Sequence, residues 1–484
     1  MGALIAALDK RRRDATKKAV DMLKALKVTH AQTYGIASST KIETEETIKA
    51  LESQTLNSPI IVGYAFRKIA TKDRLQPLKL EEAALVFDGR TYPSGTEESD
   101  AQAVARKLQQ NREETAKTLI RDVDGDFAFV IAESDRLIAG RDALGIRPLY
   151  YGENRSHLAL ASERKALWKI GLKANSFPPG HVALADEHGL SFKPAKTLAY
   201  SEPKNVTLQA ASNELRALLE HSVKARVHGL KEAAVAFSGG LDSSIVAILA
   251  KTSKVNVHLI HASLADQPEI ETARKAAEEL NLPIHTCLYT EENVQEILPK
   301  VVWLIEEADL LKTSVGIPIY WAARKAAEMG FSVMLAGQGA DEFFGGYKKY
   351  VDCYLQHGNE KAQRLIFKDV LDMYKTNFER DFKICNFHGM ELRLPFATFP
   401  IAKFAVNLPI NLKMERSNRT LRKLVLRQVA RNLGLPQFIA EKPKRAIQYT
   451  TGTSKILRKI TKQTGVSMNE YLQKIFRNIN RRRL

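Results

Sequence analysis

The chain has 484 residues and a formal net charge of +18, and 44% of its residues are apolar and 26% charged. This length predicts two domains rather than one core. The composition, without an apolar run of about 18 residues, excludes a helical membrane protein. Three isolated cysteines, Cys287, Cys353 and Cys385, argue against a disulfide framework and have no metal-binding spacing. We therefore expect a cytoplasmic protein.

The first half alternates short strand-like runs with few helices. Apolar periodicity predicts a strand at residues 4–8 and a helix at 14–27. Further strands are expected at 60–66, 84–87, 127–132, 136–141 and 149–151, and helices at 100–110 and 112–121. This pattern is typical of stacked sheets covered by helices. The polar stretch 193–207, which contains proline, is the expected linker between domains.

In the second half of the chain the spacing of the apolar residues changes. A long amphipathic helix at 208–228 precedes a buried strand, and strands near 255–262, 283–289 and 333–336 then alternate with helices. This pattern predicts an open parallel sheet with helices on its faces. Ligands of such sheets bind outside the carboxyl ends of the strands.

Residues 235–244 read Val-Ala-Phe-Ser-Gly-Gly-Leu-Asp-Ser-Ser, a strand that breaks into a glycine-rich turn and opens a helix. Backbone N–H groups and hydroxyls of such a turn hold phosphate, assisted by the helix dipole. Asp242 would repel phosphate unless a cation lay between them, so we expect Mg²⁺ together with ATP or pyrophosphate. The turn is not a Walker loop, and it resembles the SGGxDS loop of ATP pyrophosphatases (the PP-loop class).

A second glycine-rich turn with an acid follows the strand near 333–336, in the run Gly337 to Tyr347. Asp341 of this turn could share one Mg²⁺ with Asp242. Upstream, residues 304–309 place acids on an apolar helix, where Glu306 could orient a substrate or accept a proton. A solvent-facing acid on a helix is the alternative reading of Glu306.

With both turns in place, residues 205 to about 450 resemble the synthetase domain of the asparagine synthetase family. The matching motifs are SGGLDSS, IEEAD, GQGADEFFGGY, residues 390–396 and residues 442–449, in the family's order. The resemblance implies an adenosine site, a phosphate site, Mg²⁺ ligands and two catalytic residues. The adenosine would be bound by Phe237, Ala262, Ala336 and Gly337, and the phosphates by Ser238, Gly239, Gly240, Asp242, Ser243 and Ser244. The Mg²⁺ ligands would be Asp242 and Asp341. Glu306 would act on the acyl-adenylate, and Lys444 would stabilise charge. Gln338 stands where many relatives carry Glu.

The first half resembles the family's glutamine amidotransferase domain, an N-terminal nucleophile hydrolase fold, in segments 142–151, 161–167 and 177–180. We therefore expect an αββα sandwich at residues 1–200. A PP-loop α/β domain with a helical C-terminal part is expected at 205–484.

One departure from this family concerns the nucleophile. Glutamine-hydrolysing members begin Met-Cys-Gly, whereas this chain begins Met1-Gly2-Ala3. Losing a nucleophile costs on the order of 10⁶ in rate, so we expect negligible glutaminase activity.

The expected glutamine pocket is altered as well. It would contain Arg67, Gly89 and Asp100, but Asp88 replaces the oxyanion-binding Asn and cannot donate to an oxyanion. Residues 28–32 also differ from the family's His-Arg-Gly-Pro-Asp. We hypothesise a former glutaminase domain that is retained for folding or interaction.

The leading interpretation is an ATP- and Mg²⁺-dependent synthetase that adenylates a carboxylate, by default aspartate, and transfers the acyl group to ammonia. A different amine acceptor, as in β-lactam synthetase, is an alternative. A catalytically silent nucleotide-binding scaffold is another, and RNA modification by a PP-loop enzyme is disfavoured by the synthetase motifs. A homodimer is compatible with the sequence.

The excess positive charge is concentrated at the C-terminal end. Residues 413–484 carry 19 Lys and Arg against 3 Glu, with only four aromatic residues among them. Nucleic acid binding is not expected, because a basic stretch with so few stacking platforms for bases is usually a solvated face.

Overall fold

We describe the protein from a computed structural model. The structure describes residues 2–26, 28–29, 31–92, 97–203, 205–415 and 421–483, with side chains as far as residue 479. Some positions in the segments discussed above lie outside the described residues. They are Lys27, His30, Lys204, residues 416–420 and Leu484. The chain divides into a first unit, Met1–Thr197 with Asn478–Leu484, and a second unit, Leu198–Arg477.

Strands dominate the first unit. They are β1 (Gly2–Asp9), β2 (Thr33–Ala37), β3 (Ile42–Glu45), β4 (Ile60–Phe66), β5 (Leu78–Leu80), β6 (Ala83–Tyr92), β7 (Asp124–Ala132), β8 (Leu137–Arg141), β9 (Tyr150–Glu153), β10 (His157–Ala161), β11 (Asn175–Ser176), β12 (His181–Ala185) and β13 (Leu190–Pro194). The helices are α1 (Thr16–Leu26), α2 (Ile48–Leu51), α3 (Asp100–Lys107), α4 (Arg112–Asp122) and α5 (Arg164–Lys169).

These strands form two antiparallel sheets. One has the order β11-β9-β10-β1-β4-β2-β3, and the other has the order β13-β12-β8-β7-β6-β5. Strand β1 shows how they are layered, because successive side chains of a strand point to opposite faces. Leu4, Ala6 and Leu8 pack in the core between the two sheets, together with residues such as Val86 and Val130.

The opposite face of each sheet is covered by helices. Ala3, Ile5 and Ala7 of β1 belong to a core that includes Leu23 of α1 and Leu167 of α5. The outer face of the second sheet packs against α3 and α4 in the same way. The four layers confirm the predicted αββα sandwich.

The second half of the chain is mainly helical around one sheet. Its strands are β14 (Glu232–Ala236), β15 (Asn256–Leu264), β16 (Ile284–Tyr289), β17 (Val333–Leu335) and β18 (Glu391–Arg393). Its helices begin with α6 (Leu208–Val227), α7 (Leu241–Thr252), α8 (Glu269–Glu279), α9 (Glu291–Ile305), α10 (Leu310–Glu328), α11 (Ala340–Phe343), α12 (Lys348–Met373) and α13 (Glu379–Phe387).

The chain continues with α14 (Phe399–Val406), α15 (Leu424–Asn432), α16 (Gln437–Ala440), α17 (Ile447–Thr450), α18 (Thr453–Thr464) and α19 (Met468–Arg483). A π-helical segment, Tyr374–Phe378, joins α12 to α13, and a 3₁₀ turn lies at Ile410–Leu412. None of the helices described here has the length and apolarity that crossing a bilayer requires.

The sheet of the second unit is parallel, with the order β16-β15-β14-β17-β18. This confirms the predicted parallel α/β architecture. Strand β14 lies between β15, the next strand in the sequence, and β17, the third strand after it. The strand order therefore reverses at β14, and such a switch point is where ligands bind in open α/β sheets. Both glycine-rich turns leave the sheet here, one after β14 and one after β17.

Candidate active site

The turn after β14 presents backbone donors to open space. Gly240 caps α7 without a side-chain hydrogen bond to the helix, so the first N–H groups of α7 are left for another acceptor. Ser238 and Ser243 hold the turn together, because the N–H of Ser238 donates to Oγ of Ser243 at 3.3 Å. Gly239 has a φ of +62°, and a Cβ there would lie 2.7 Å from Cα of Ala273. Only glycine fits this position.

The turn after β17 comes into direct contact with the first turn. A Cβ on Gly337 would lie 2.9 Å from Cβ of Asp242, so the absence of a side chain at Gly337 permits the approach. The chain then enters α11, whose first turn carries Asp341 and Glu342. The two acids that the sequence singles out, Asp242 and Asp341, are thereby brought to the same edge of the sheet.

A lysine ammonium group lies between the two carboxylates. Nζ of Lys423 is 2.8 and 2.7 Å from the two carboxylate oxygens of Asp242 and 2.7 Å from Oδ1 of Asp341. Nζ of Lys444 lies 2.6 Å from Oδ2 of Asp341. Two ammonium groups and two carboxylates thus form one cluster, in which a single cation contacts both acids.

The cluster keeps its members ionised. Burial alone would raise the pKa of Asp341, but the neighbouring ammonium groups of Lys423 and Lys444 outweigh it and hold that pKa below its usual range. Burial alone would lower the pKa of Lys444, yet the charges of Asp341 and Asp242 raise it. These opposite shifts are those expected of an ion pair in a partly dehydrated site.

The two carboxylates fit a magnesium ion that arrives with phosphate. Both already contact one common cation, the ammonium of Lys423. Mg²⁺ in nucleotide sites is commonly bound by one or two carboxylates, with phosphate oxygens and water completing the octahedron. In the part of the chain that the structure describes, no group of three or more His, Cys, Asp or Glu side chains is arranged to hold a metal by itself.

These turns form one end of a cavity of about 690 Å³ in the second unit. Most of the residues expected at the nucleotide site line it: Phe237, Ser238, Gly240, Asp242, Ser243, Ala262, Ala336, Gly337, Asp341 and Lys444. Gly239 and Ser244 lie outside this lining. Gly239 acts through its backbone, since its carbonyl accepts a hydrogen bond from Nζ of Lys442 at 3.3 Å. Ser244 is fully buried behind the turn.

Glu306 does not reach the cavity. The residue ends α9 in a left-handed conformation with φ of 64°, and it is only 2% exposed. Its Oε2 accepts a hydrogen bond from Nζ of Lys383 at 2.9 Å. The predicted helical face was wrong for this residue, because the helix stops at Ile305 and the backbone turns Glu306 into a buried ion pair.

The sequence does not single out several residues of this site. Lys423 is one of many basic residues in 413–484, and no local pattern marks a lysine 181 positions from its partner Asp242. Nε2 of Gln338 donates to Oδ2 of Asp381 at 2.8 Å, and Asp381 also forms an ion pair with Arg380 at 2.6 Å. Burial raises the pKa of Asp381, although Arg380 and Gln338 oppose the shift.

In the first unit, Gly2 lies in β1 opposite Phe66 of β4. A Cβ on Gly2 would lie 1.8 Å from the carbonyl oxygen of Ala65 and 2.9 Å from Cε1 of Tyr64. Backbone of the neighbouring strand therefore occupies the space that a cysteine side chain would need. A nucleophile is missing at this position, and the surrounding structure does not admit one.

An ion-paired arginine lines the small space at the expected glutamine pocket of the first unit. Arg90 contacts Asp73 at 2.5 Å and Asp100 at 3.2 Å, and the hydroxyl of Thr91 donates to Asp100 at 2.9 Å. The space that Arg90 and Asp100 line measures about 20 Å³, which holds about one water molecule.

The other expected pocket residues are placed as follows. Arg67 is buried, and Gly89 lies within β6 and lines this small space. Asp88 accepts a hydrogen bond from the hydroxyl of Tyr64 at 3.1 Å and lies 3.7 Å from the guanidinium of Arg147. A carboxylate in this position has no hydrogen to offer an oxyanion when it is ionised.

Comparisons with known proteins cover both halves of the chain. A family model described as asparagine synthase matches residues 214–359 and 353–479, and one described as a glutamine amidotransferase domain matches residues 76–169. A Methanocaldococcus jannaschii protein, provisionally named a glutamine-hydrolyzing asparagine synthetase, is 30% identical over 96% of this chain and 97% of its own length. Asparagine synthetase B of Escherichia coli, also named as glutamine-hydrolyzing, is 29% identical over 68% of this chain and 61% of its own.

Among solved structures, a glutamine phosphoribosylpyrophosphate amidotransferase from B. subtilis is similar with a TM-score of 0.36 and 14% identity, over 59% of this chain and 65% of that chain. The assignment depends on the sequence matches, since the synthase model covers more than half of the chain and the Methanocaldococcus jannaschii relative is similar over nearly its whole length. The chain belongs to the asparagine synthetase family.

Proposed function

We propose that this protein is an ATP-dependent amide-forming synthetase, which activates a carboxylate as its adenylate and transfers the acyl group to ammonia. The observation that carries the proposal is the convergence of Asp242 and Asp341 on one cation, from turns that follow neighbouring parallel strands. A pair of carboxylates beside open helix donors suits a triphosphate with its magnesium ion. The membership of the family supports the same reaction class.

The proposed reaction has two steps. A carboxylate oxygen of the substrate attacks the α-phosphorus of ATP, the bond from that phosphorus to the oxygen bridging to the β-phosphate breaks, and pyrophosphate leaves with the electron pair. The nitrogen of ammonia then attacks the carbonyl carbon, the bond from that carbon to the AMP oxygen breaks, and the nitrogen loses a proton. The products are the amide, AMP and pyrophosphate.

The residues of the cluster supply the electrostatic part of this chemistry. The N-terminus of α7 and the hydroxyls of Ser238 and Ser243 would bind phosphate oxygens. Asp242 and Asp341 would hold Mg²⁺, which neutralises charge on the phosphates when bound. Lys444 would stabilise negative charge during both transfers. Glu306 has no contact with the reacting atoms in this proposal, because it is buried in its pair with Lys383.

Ammonia is proposed as the nitrogen source because three features of the first unit oppose glutamine hydrolysis. Gly2 has no nucleophile and no room for one. Asp88 replaces a hydrogen-bond donor. The space that Asp100 lines with Arg90 holds about one water molecule, which is too little for a glutamine side chain. Aspartate is the first carboxylate to test, since the named relatives are asparagine synthetases.

The proposal is tested by measuring pyrophosphate release from ATP with Mg²⁺, ammonium and a panel of carboxylates that includes aspartate. We expect continuous release with a carboxylate and ammonium, and no release beyond a single turnover when glutamine is the only nitrogen source. Asp341→Asn should lower the rate on the order of 10²-fold, because one carboxylate of the cluster is neutralised. Asp266→Asn is the matched control, since Asp266 is exposed and lies outside the cavity lining.

Binding of ATP without pyrophosphate release from any carboxylate would contradict the proposal. That result would favour a nucleotide-binding scaffold. An equal loss of activity in Asp341→Asn and Asp266→Asn would contradict the role given to the carboxylate pair.

A further inference from the structure

The ammonium group of Lys423 lies inside the carboxylate pair and not at its edge. Only 2% of the lysine side chain is exposed, whereas the side chains of Asp242 and Asp341 are 17% and 16% exposed. Its Nζ lies within 2.8 Å of three carboxylate oxygens. An ammonium group carries three N–H donors, the same number as the oxygens that it contacts here.

The path of this lysine side chain depends on a glycine. A Cβ on Gly346 would lie 2.5 Å from Cε of Lys423 and 1.9 Å from Oδ1 of Asp341. Any other residue at this position would therefore push the lysine stem and the carboxylate apart. The second glycine of the Gly345-Gly346 pair leaves the passage through which the lysine reaches the two acids.

The backbone of Lys423 is held in place as well. The residue precedes α15 with a φ of +61°, a left-handed conformation that is uncommon outside glycine. One turn later, Arg427 donates to the backbone carbonyls of residues 422, 440 and 442. The start of α15 is therefore anchored, and a change of partners at Lys423 involves only the far end of its side chain.

A divalent cation and the two lysines compete for the same oxygens. Lys423 contacts both oxygens of Asp242 and Oδ1 of Asp341, and Lys444 contacts Oδ2 of Asp341. All four oxygens of the pair thus have an ammonium partner. A metal ion that arrives alone has to displace one of these buried ammonium groups, and a buried charge that loses its partner is strongly destabilising.

A nucleotide removes this obstacle because it brings acceptors of its own. Phosphate oxygens held by the turn of Ser238 and Ser243 would lie beside Asp242, which belongs to the first turn of α7. The ammonium of Lys423 then has a phosphate oxygen as its new partner, and the carboxylate oxygens are released to the metal. The metal and the nucleotide therefore assist each other's binding at this residue.

We propose that Lys423 is a built-in competitor of the divalent cation, which keeps Asp242 and Asp341 from binding a free metal ion and admits the metal only together with the nucleotide. This inference rests on the proposed synthetase function and concerns the order in which its ligands bind. Because Lys423 opposes the free metal and contacts the phosphates, its removal should change the two affinities in opposite directions.

The first measurement is binding of Mn²⁺ without nucleotide, followed by electron paramagnetic resonance of the free ion. Mn²⁺ is used because it takes the same oxygen ligands as Mg²⁺. Lys423→Met removes the charge and keeps most of the length of the side chain. We expect this variant to bind one Mn²⁺ about tenfold or more tightly than the wild type. The double variant Lys423→Met/Asp341→Asn should lose that gain, which places the ion at the carboxylate pair.

The second measurement is calorimetric titration with α,β-methylene-ATP in the presence of Mg²⁺. We expect Lys423→Met to bind this analogue about tenfold or more weakly than the wild type, because one partner of the phosphates is lost. Lys312→Met is the matched control, since Lys312 lines the same cavity but pairs with Glu307 at 2.5 Å. Both affinities should stay within about twofold of the wild type in this control.

Circular dichroism establishes that the variants are folded, and the wild type alone provides a test that does not depend on Lys423→Met. Binding of Mn²⁺ by the wild type without nucleotide, tighter than about 10⁻⁴ M and lost in Asp341→Asn, would overturn the inference. Equal Mn²⁺ affinity of the wild type and folded Lys423→Met would also overturn it. Either result leaves the synthetase proposal standing. A wild type that binds neither Mn²⁺ nor the analogue, alone or together, would contradict both proposals.

Discussion

Lys413 is an unusual residue of the second unit because its side chain is completely buried. Its Nζ has no hydrogen-bond partner among the described residues. Burial lowers the pKa of this ammonium from 10.5 to about 7. An uncharged amine in the folded state is the physical consequence at any pH well above 7.

The stability of the protein should therefore depend on pH through Lys413. Between pH 7 and 10.5 the unfolded chain binds a proton at this residue that the folded chain has released, so the free energy of unfolding rises with pH through that window. Below pH 7 the full penalty of the buried amine is present. We expect Lys413→Met to be more stable than the wild type at pH 7, by roughly 3–5 kcal/mol, and the difference to shrink towards pH 10.

Urea unfolding of both proteins at several pH values between 6 and 10 checks this expectation. Each measurement uses the wild type as its control, so the titration of other residues cancels in the difference. A stability difference that stays constant over the whole range would show that the pKa of Lys413 is not shifted by folding.

At the scale of elements, the junction of β14 and α7 depends on one glycine. Gly239 combines a positive φ with a close approach to Ala273, and both conditions oppose a side chain. Gly229 has a similar φ of +74° but open space around it. The two glycines thus separate the effect of backbone strain from that of steric contact.

We expect Gly229→Ala to cost about 1–2 kcal/mol of stability and to leave ATP binding unchanged, since only backbone strain is introduced. Gly239→Ala should displace the turn from α8 and lower ATP affinity by about tenfold or more, because the N–H groups that bind phosphate move with the turn. Calorimetric titration with Mg·ATP and urea unfolding measure the two effects. Equal ATP affinity in the two variants would refute the role given to Gly239.

At the scale of the whole molecule, the proposed use of ammonia requires that the first unit does not hydrolyse glutamine. Placing a nucleophile at this position with Gly2→Cys should not produce glutaminase activity. The new side chain would meet the carbonyl of Ala65, Asp88 would still oppose an oxyanion, and Arg90 would still occupy the pocket.

Glutamate release from glutamine by purified Gly2→Cys protein, with removal of Met1 verified by mass spectrometry, measures this. The control is ammonium-dependent pyrophosphate release, which the substitution should leave unchanged if the second unit is intact. Glutamate production above the wild-type background would show that the pocket opens and that the cysteine alone was lacking.

Patterns that act over short distances made much of this architecture predictable. The alternation of apolar residues in β1 and the strand–turn–helix segment around Gly239 are local, and the layers and the convergence of the turns follow from them. Lys423 and Arg90 were not predictable, because each acts through partners brought near by folding and carries no motif around it. The sequence predicts a helical position for Glu306 because apolar periodicity does not mark the residue at which a helix ends.

The cluster around Asp341 has a kinetic consequence. Its two carboxylates are balanced by the ammonium groups of Lys423 and Lys444, so these four groups together have no net charge. A polyanion approaching these turns meets no barrier of like sign, and it gains no long-range attraction from them either. Any dependence of the nucleotide's association rate on ionic strength should therefore come from the other charges of the chain, whose formal net charge is +18. High affinity for the nucleotide has to arise after it reaches the site, when each lysine exchanges its carboxylate partner for a phosphate oxygen.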